Sequence, residues 1–373
     1  MKISFIDLAA QQKNIRDKID AGIKKVLDHG NYIMGPEVAE AERRLAEFAG
    51  VKHCLTCSSG TDALLMALMA YDVEPGDAIF TTTFTFMATA EVVSLLGATP
   101  VLVDIDPDTF NINPDLLPVA IAKAKRDGYT PRGIIPVDIF GLPADFNRIL
   151  AVAKEHGLFV IDDACQGFGG LYHGKKIGSI GEVAVTSFFP AKPLGVYGDG
   201  GAIFTDSDEL AAAMRSVRIH GMGPDKYDNV RIGINGRFDT IQAAILLPKL
   251  EIFPGELKLR QEVANAYAQG LKDSVKLQKI PEGLESAWAQ YSVVSPKKDK
   301  IVAALGAAGI PTAVYYPIPL HLQQAYKYLG YSKGDFPVSE EVAKGIFSLP
   351  MHPYLPLAQV EEITGIIRAV AQA

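Results

Sequence analysis

From residue 62 to residue 218 the chain alternates helix-patterned segments with short, apolar, β-rich runs, and no other feature restricts its fold as strongly. Apolar residues recur at helical spacing over 62–71, 88–96, 115–126, 145–156 and 209–218. Between these lie 78–82, 99–104, 133–139, 158–162, 183–189 and 202–205, which read as strands. Strands this apolar, separated by helices, predict an α/β fold: a mostly parallel sheet covered on both faces. After about residue 250 the rhythm changes. A long helix predicted over 254–272 precedes a strand (291–296), a helix (299–308), a strand (312–316) and two helices (339–347 and 357–370). The expected organisation is a large domain over 1–250 and a smaller α+β domain over 251–373. A helix at about 14–29 is expected to pack on the small domain or on a second subunit. A length of 373 residues accommodates both domains.

Several classes are disfavoured. The net charge is −7 with no basic block, so nucleic acid is not an expected partner. The three cysteines, Cys54, Cys57 and Cys165, are too few and odd in number for a secreted disulfide framework. The start, MKISFIDLAAQQ, lacks the apolar run of a signal peptide, and the longest nearly apolar stretch, 92–103, is too short for a membrane span. A cytoplasmic protein with no membrane partner is expected. GGLYHGKK at 169–176 departs from a phosphate-binding P-loop because Lys176 stands where Ser or Thr is required. CLTC at 54–57 has no second cysteine pair, and the seven histidines are scattered, so no metal site is expected. No GxGxxG follows a predicted strand, which weakens a nicotinamide reading.

Two predicted strands end in reactive residues. One closes on Asp162-Asp163; the other closes on Ser187, with Lys192 five residues later and a glycine-rich run, Gly195 to Gly201, behind it. Open α/β sheets bind ligands beyond the carboxyl ends of their strands, so Asp163, Ser187 and Lys192 can face one crevice. Cys57-Ser58-Ser59-Gly60-Thr61 opens the helix at 62–71, and a helix start of small residues offers free N–H groups to an anion. Together these meet the needs of pyridoxal 5'-phosphate (PLP). A lysine amine condenses with its aldehyde, a carboxylate keeps the pyridine nitrogen protonated, and a helix N-terminus with a hydroxyl holds the phosphate.

The strings FIDL, GNYIMGPEV, SSGTDAL, TFTFMATAE, DDACQGFG, SFFPAKPLGVYGDGGA, INGRFDTIQAAILLPKL and YYPIPLHLQ carry a closer likeness. From about Phe5 to the last helix the chain resembles the DegT/DnrJ/EryC/StrS sugar aminotransferases, which have the aspartate aminotransferase-like (type I) PLP fold. The resemblance implies roles. Lys192 matches the Schiff-base lysine and proton shuttle, Asp163 the partner of the pyridine nitrogen, and Gln166 the neighbour of the phenolic oxygen. Phe86 stands where the family stacks an aromatic ring on the pyridine. Gly60, Thr61 and Ser187 match phosphate contacts. Asn235 matches a phosphate contact given by the other subunit, which implies a homodimer with shared active sites. Arg237 lies where relatives acting on uronic acids grip a carboxylate. Tyr32, Met34, Tyr315, Tyr316 and His321 fall in segments that line the nucleotide-sugar pocket.

The implied activity is transfer of an amino group from glutamate to a nucleotide-linked keto sugar for surface polysaccharide. A UDP-linked 3-oxo-2-acetamido sugar, a uronic acid among the candidates, comes first; a UDP- or dTDP-linked 4-keto-6-deoxy sugar is second. One departure bears on this choice: relatives acting on 3-oxo-uronic sugars often read His-Tyr-Pro where this chain has Tyr315-Tyr316-Pro317. Two other readings remain, a PLP-fold sugar dehydratase and a non-catalytic regulatory protein. Lys192 stands against the first, since such dehydratases carry histidine there. The intact set of Lys192, Asp163 and Ser187 stands against the second.

Overall fold

The computed structural model describes residues 3–225 and 227–373. Its first half runs α1 (Leu8–His29), α2 (Pro36–Ala49), β1 (His53–Cys57), α3 (Gly60–Ala70), β2 (Asp77–Thr82), α4 (Ala88–Leu95), β3 (Thr99–Val103), α5 (Leu117–Arg126), β4 (Thr130–Ile135), α6 (Phe146–His156) and β5 (Phe159–Asp163). Then come β6 (Leu171–Tyr172), β7 (Lys175–Lys176), β8 (Val183–Ser187), β9 (Gly201–Thr205), α7 (Asp208–Val217) and α8 (Thr240–Leu271). The remainder is β10 (Lys276–Leu277), β11 (Leu284–Glu285), β12 (Tyr291–Val294), α9 (Lys298–Ala307), α10 (Pro337–Gly345), β13 (Ile346–Leu349) and α11 (Leu357–Gln372).

Seven strands form one sheet in the order β1-β9-β8-β5-β4-β2-β3. The β3, β2, β4, β5 and β8 neighbours pair in parallel, while β9 runs antiparallel to both β8 and β1. Successive side chains of a strand point to opposite faces. Ile161, Val183, Val185 and Ile203 accordingly join the core under α3 and α7, whereas Val160 joins the core under α5 and α6. Both faces are covered, which explains the near-continuous apolar runs. The carboxyl ends of β1, β5 and β8 lie on one edge of the sheet, and the amino end of β9 meets them there, because Gly201 pairs with both Cys57 and Ser187.

A smaller sheet, β10-β12-β13, is antiparallel and packs with α9 and α11 around Val293, Ile301, Phe347 and Ile363. The predicted helix over 254–272 starts 14 residues earlier than expected: α8 has 32 residues with Pro248 and Pro254 inside it. Proline removes a helical N–H and normally disfavours continuation. Here a long buried face, including Ala243, Leu246, Leu250, Phe253 and Val263, holds the helix together against α1, α2 and α11. Residue 250, where the sequence rhythm changes, lies inside this helix. Residues 339–347, predicted helical, divide into α10 and β13, because Ile346–Leu349 pairs with β12. The strand predicted over 312–316 is a single bridge between Ala313 and Ser348; Pro317 and Pro319 follow and cannot donate to a ladder. Among the described residues no helix is long and apolar enough to cross a membrane, and no cluster of metal-ligating side chains occurs.

Candidate active site

At the sheet edge where β1, β5 and β8 end, a cavity of about 490 Å³ opens. Gly60, Thr61, Phe86, Asp163, Gln166, Ser187, Lys192, Tyr315 and Tyr316 all line it, together with Ser59, Thr85, Thr89, Cys165 and Gln290. Asp163 is the last residue of β5 and 4% exposed. Its carboxylate accepts a hydrogen bond from Thr89 Oγ1 at 2.8 Å and one from the Cys165 N–H at 3.3 Å. Thr89 sits in the first turn of α4 and also meets the Thr85 hydroxyl at 3.2 Å. These contacts aim the carboxylate into the cavity.

Neighbouring Asp162 points to the other side of the strand. It is fully buried, neither carboxylate oxygen has a hydrogen-bond partner, and burial together with Asp138 and Asp163 pushes its carboxyl well above the ordinary range. Asp138, also buried, is pushed up in the same way. Of these acids only Asp163 lines the cavity. Burial and the Asp163 charge likewise push the Cys165 thiol up, so Cys165 stays protonated and is a packing group rather than a nucleophile.

The anion end is built by α3. Its N-cap, Ser59, accepts a hydrogen bond from the Asp62 N–H at 3.0 Å, leaving Gly60 and Thr61 at the positive end of the helix, on the cavity wall. No side chain fits at Gly60: a Cβ there would lie 2.8 Å from Ser187 Cβ and 2.9 Å from Cys165 Sγ. The backbone of this loop thus closes directly on the end of β8. Behind it, Glu42 of α2 accepts from the Thr56 N–H at 2.9 Å and from Arg218 at 2.5 Å, and Arg218 also donates to the Thr56 carbonyl at 2.8 Å. The Arg218 carbonyl accepts from the Gly236 N–H at 3.0 Å, and the Gly236 carbonyl accepts from the Ser58 N–H at 3.1 Å. One buried arginine therefore ties the anion loop to the segment that carries Asn235 and Arg237.

PLP fits these residues. The helix start of Ser59, Gly60 and Thr61, with Ser187, can hold a phosphate; Asp163 can face a protonated pyridine nitrogen; and the Lys192 amine lines the same cavity. Phe86 forms an exposed wall, with its ring centroid 6.4 Å from that of Tyr316. Gln166 gives its carbonyl to the Phe140 N–H at 2.9 Å and turns its amide toward the Tyr316 hydroxyl.

Five of the sequence-predicted residues do not line this cavity. Asn235 is exposed and accepts a hydrogen bond from Arg237 Nε at 2.8 Å. Tyr32 and Met34 are exposed beside the start of α8, where the Tyr32 carbonyl accepts from the Thr240 N–H. His321 is 2% exposed and wedged between Thr83 Oγ1 (2.8 Å) and Glu340 Oε1 (3.1 Å), so its ring supports a loop instead of facing a ligand. Sequence reasoning missed Thr89, Gln290 and the Glu42–Arg218 pair. For Thr89 a signal existed: Thr85 and Thr89 are one helical turn apart just after a strand end. For Gln290 there was none.

A PLP-dependent aminotransferase is the class that this fold and this donor set define. The chain belongs to the DegT/DnrJ/EryC1/StrS aminotransferase family, whose model matches residues 13–368. It is 52% identical over 364 residues to a UDP-2-acetamido-2-deoxy-3-oxo-D-glucuronate aminotransferase of Pseudomonas aeruginosa, covering 97% of this chain and 98% of that one. A pleiotropic regulatory protein of Geobacillus stearothermophilus is 41% identical and covered in full, as is this chain. A crystal structure of a family aminotransferase from Brucella abortus superposes with a TM-score of 0.96 at 53% identity, covering 98% of this chain and 99% of that one.

Proposed function

We propose that the chain transfers an amino group from glutamate to the ketone of a UDP-linked 3-oxo-2-acetamido sugar, with the uronic acid as the leading form, for surface polysaccharide. The observation that carries the catalytic reading is the convergence of Lys192, Asp163, Ser187 and the α3 N-terminus on one cavity. The substrate reading is supported by the relative at 52% identity. Bound PLP supplies an electron sink conjugated to the amine-bearing carbon. Asp163, oriented by Thr89, would hold the positive charge on the ring nitrogen. Lys192 is the lone amine among the described lining residues, and it would take the proton from the amine-bearing carbon and return it. Ser59, Gly60, Thr61 and Ser187 would hold the phosphate, and Phe86 and Tyr316 would wall the ring and exclude water. Arg237 would grip the carboxylate of the acid sugar in a two-pronged geometry.

A homodimer in the cytoplasm completes the reading. Asn235 and Arg237 are displayed together outside their own cavity, as suits residues that reach the site of a second copy. Mixing inactive Lys192→Ala with inactive Asn235→Ala subunits should restore activity, since one site per mixed dimer is intact. No recovery in proven mixed dimers places Asn235 outside the shared site.

The substrate is tested with a small panel of nucleotide keto sugars and glutamate, scoring the amino sugar by mass spectrometry. UDP-2-acetamido-2-deoxy-3-oxo-glucuronate should be the best acceptor, ahead of its neutral counterpart, and Arg237→Lys should erase that preference. Preference for a 4-keto-6-deoxy sugar overturns the assignment, and Tyr315 is then the first residue to exchange. Absence of turnover with every sugar, in PLP-loaded protein, favours a regulatory role of the kind named for the Geobacillus relative.

A further inference from the structure

We infer that Gln290 is a substrate-reading residue of this site, hydrogen-bonding a hydroxyl or acetamido group of the keto sugar. The inference rests on the nucleotide-sugar reading above. Of the described side chains that line the cavity, only Gln290 has a buried polar atom without a partner, its amide carbonyl Oε1. Two neighbouring polar groups are already engaged: Asp163 is held by Thr89, and Gln166 is committed to Phe140.

The backbone under Gln290 is fixed, while its side-chain carbonyl has no partner among the described residues. The residue directly precedes β12, and its N–H donates to the Phe140 carbonyl at 3.3 Å. The Ala287 N–H donates to the Gly141 carbonyl at 2.9 Å. Gly141 has φ +109°, and a Cβ on it would lie 2.5 Å from the Trp288 nitrogen, so the two segments are in backbone contact. Two glutamines therefore flank the turn at Phe140. Gln166 spends its carbonyl on the turn; Gln290 keeps its carbonyl and amide for something else.

Chemistry identifies the occupant. A desolvated amide carbonyl left unpaired is unfavourable; with Oε1 buried, the Gln290 amide turns about its last torsion to meet a donor that arrives with a ligand. PLP offers acceptors in its phosphate and phenolic oxygen, and its one ring donor faces Asp163. Glutamate offers carboxylates, which accept only, and its ammonium is consumed at the reacting carbon. A 2-acetamido sugar offers both an acetamido N–H and hydroxyls. It alone among the three supplies the missing donor, and its oxygens can accept from the amide N–H₂.

The test separates the two halves of the reaction. Gln290→Met preserves length and removes both polar atoms; Gln290→Ala is a second variant in case the first misfolds. Thermal unfolding and the PLP absorbance of each are recorded. The glutamate half is followed by the absorbance change when glutamate alone is added. The sugar half is followed with the best acceptor from the panel. The expected result is a loss in kcat/KM for the sugar of about tenfold to a hundredfold, mostly in KM, with the glutamate half within about threefold of wild type. Equal losses in both halves, or no loss in either variant, overturns the inference while leaving the function intact. A shifted PLP absorbance or weakened PLP retention with normal sugar use overturns it in favour of a cofactor contact. Wild type that aminates no sugar overturns the nucleotide-sugar reading itself, and this inference with it.

Discussion

The two sides of the cavity are built in different ways. The cofactor side comes from strand ends and one helix start, β1, β5, β8 and α3, packed over a core in which Leu55, Ile161, Val185 and Ile203 are fully buried. The opposite side comes from loops, with Gln290, Tyr315 and Tyr316 arriving from beyond α8 and Asn235 and Arg237 standing outside. A parallel sheet covered on both faces fixes its own edge within narrow limits, so groups at the strand ends keep their geometry whatever the loops do. The chemical step is thereby separated from the choice of substrate. If that separation is real, substitutions on the sheet side should reduce both half-reactions, and substitutions on the loop side should reduce one.

Lys192→Ala is expected to have the largest effect, a loss of both half-reactions by about 10²–10⁴-fold or more, as for removal of a positioned proton-transfer group. Turnover near wild type would move the catalytic amine elsewhere. Asp163→Asn keeps the size and removes the charge; the expected loss is about a hundredfold or more, near 2.7–4 kcal/mol, again in both halves. Asp162→Asn should leave the half-reaction rates nearly unchanged, because Asp162 lies on the far face of the strand. A larger effect from Asp162 than from Asp163 would reverse the assignment of the two acids. Thr89→Val is isosteric and removes one hydrogen bond to the Asp163 carboxylate, so roughly a tenfold loss shared by both halves is expected in steady-state assays.

The same division governs what could be read without coordinates. The alternation of apolar runs and helices located six of the seven large-sheet strands, because burial on both faces leaves a plain sequence signature. Asp163, Ser187 and Lys192 were legible because strand ends of a parallel sheet share one edge. The remaining strand, His53–Cys57, stands outside the predicted runs, and only its last residue, Cys57, belongs to the predicted anion loop; its pairing with β9 depends on a register that short strands do not announce. The start of α8 was misplaced because Pro254 is a strong local stop signal that a buried face overrides. Gln290 and Arg218 carry no local mark: one contacts a cavity 127 residues downstream of Asp163, the other a glutamate 176 residues upstream. Positions defined by such long-range closure have no pattern in the linear chain.

The Glu42–Arg218 pair crosses the division. Arg218 touches the anion loop through Thr56 and the Asn235 segment through Gly236. Glu42→Gln keeps a hydrogen-bond acceptor and removes the charge opposite a buried guanidinium. PLP retention, measured by equilibrium titration, is expected to weaken severalfold, with a parallel drop in unfolding temperature from the arginine left without its counter-charge. Lowered stability with unchanged PLP affinity would restrict the pair to the scaffold.

The smallest expected loss of sugar use concerns His321, and it tests the loop side most directly. The ring joins Thr83, at the end of β2, to Glu340, while the Leu320 N–H donates to the Thr83 carbonyl at 2.8 Å. This fastens the loop after Tyr315 and Tyr316 to the sheet. Burial alone raises the Glu340 carboxyl, but the Gly334 N–H and His321 outweigh it and hold it below its ordinary value of 4.5. A depressed carboxyl contributes stability that is present above the unfolded-state pKa and is lost as pH falls through the folded-state value. Wild type should therefore lose stability more steeply than Glu340→Gln on acidification below about pH 4.5. His321→Gln can keep one of the two bonds but not both. The expected outcome at neutral pH is a loss of about 1 kcal/mol in stability, a sugar KM raised two- to threefold or so, and an unchanged glutamate half. A histidine in contact with the sugar would behave in the opposite manner, raising KM strongly at constant stability. That result would show that the 317–322 loop opens when the nucleotide sugar binds, turning His321 from a fastener into a contact.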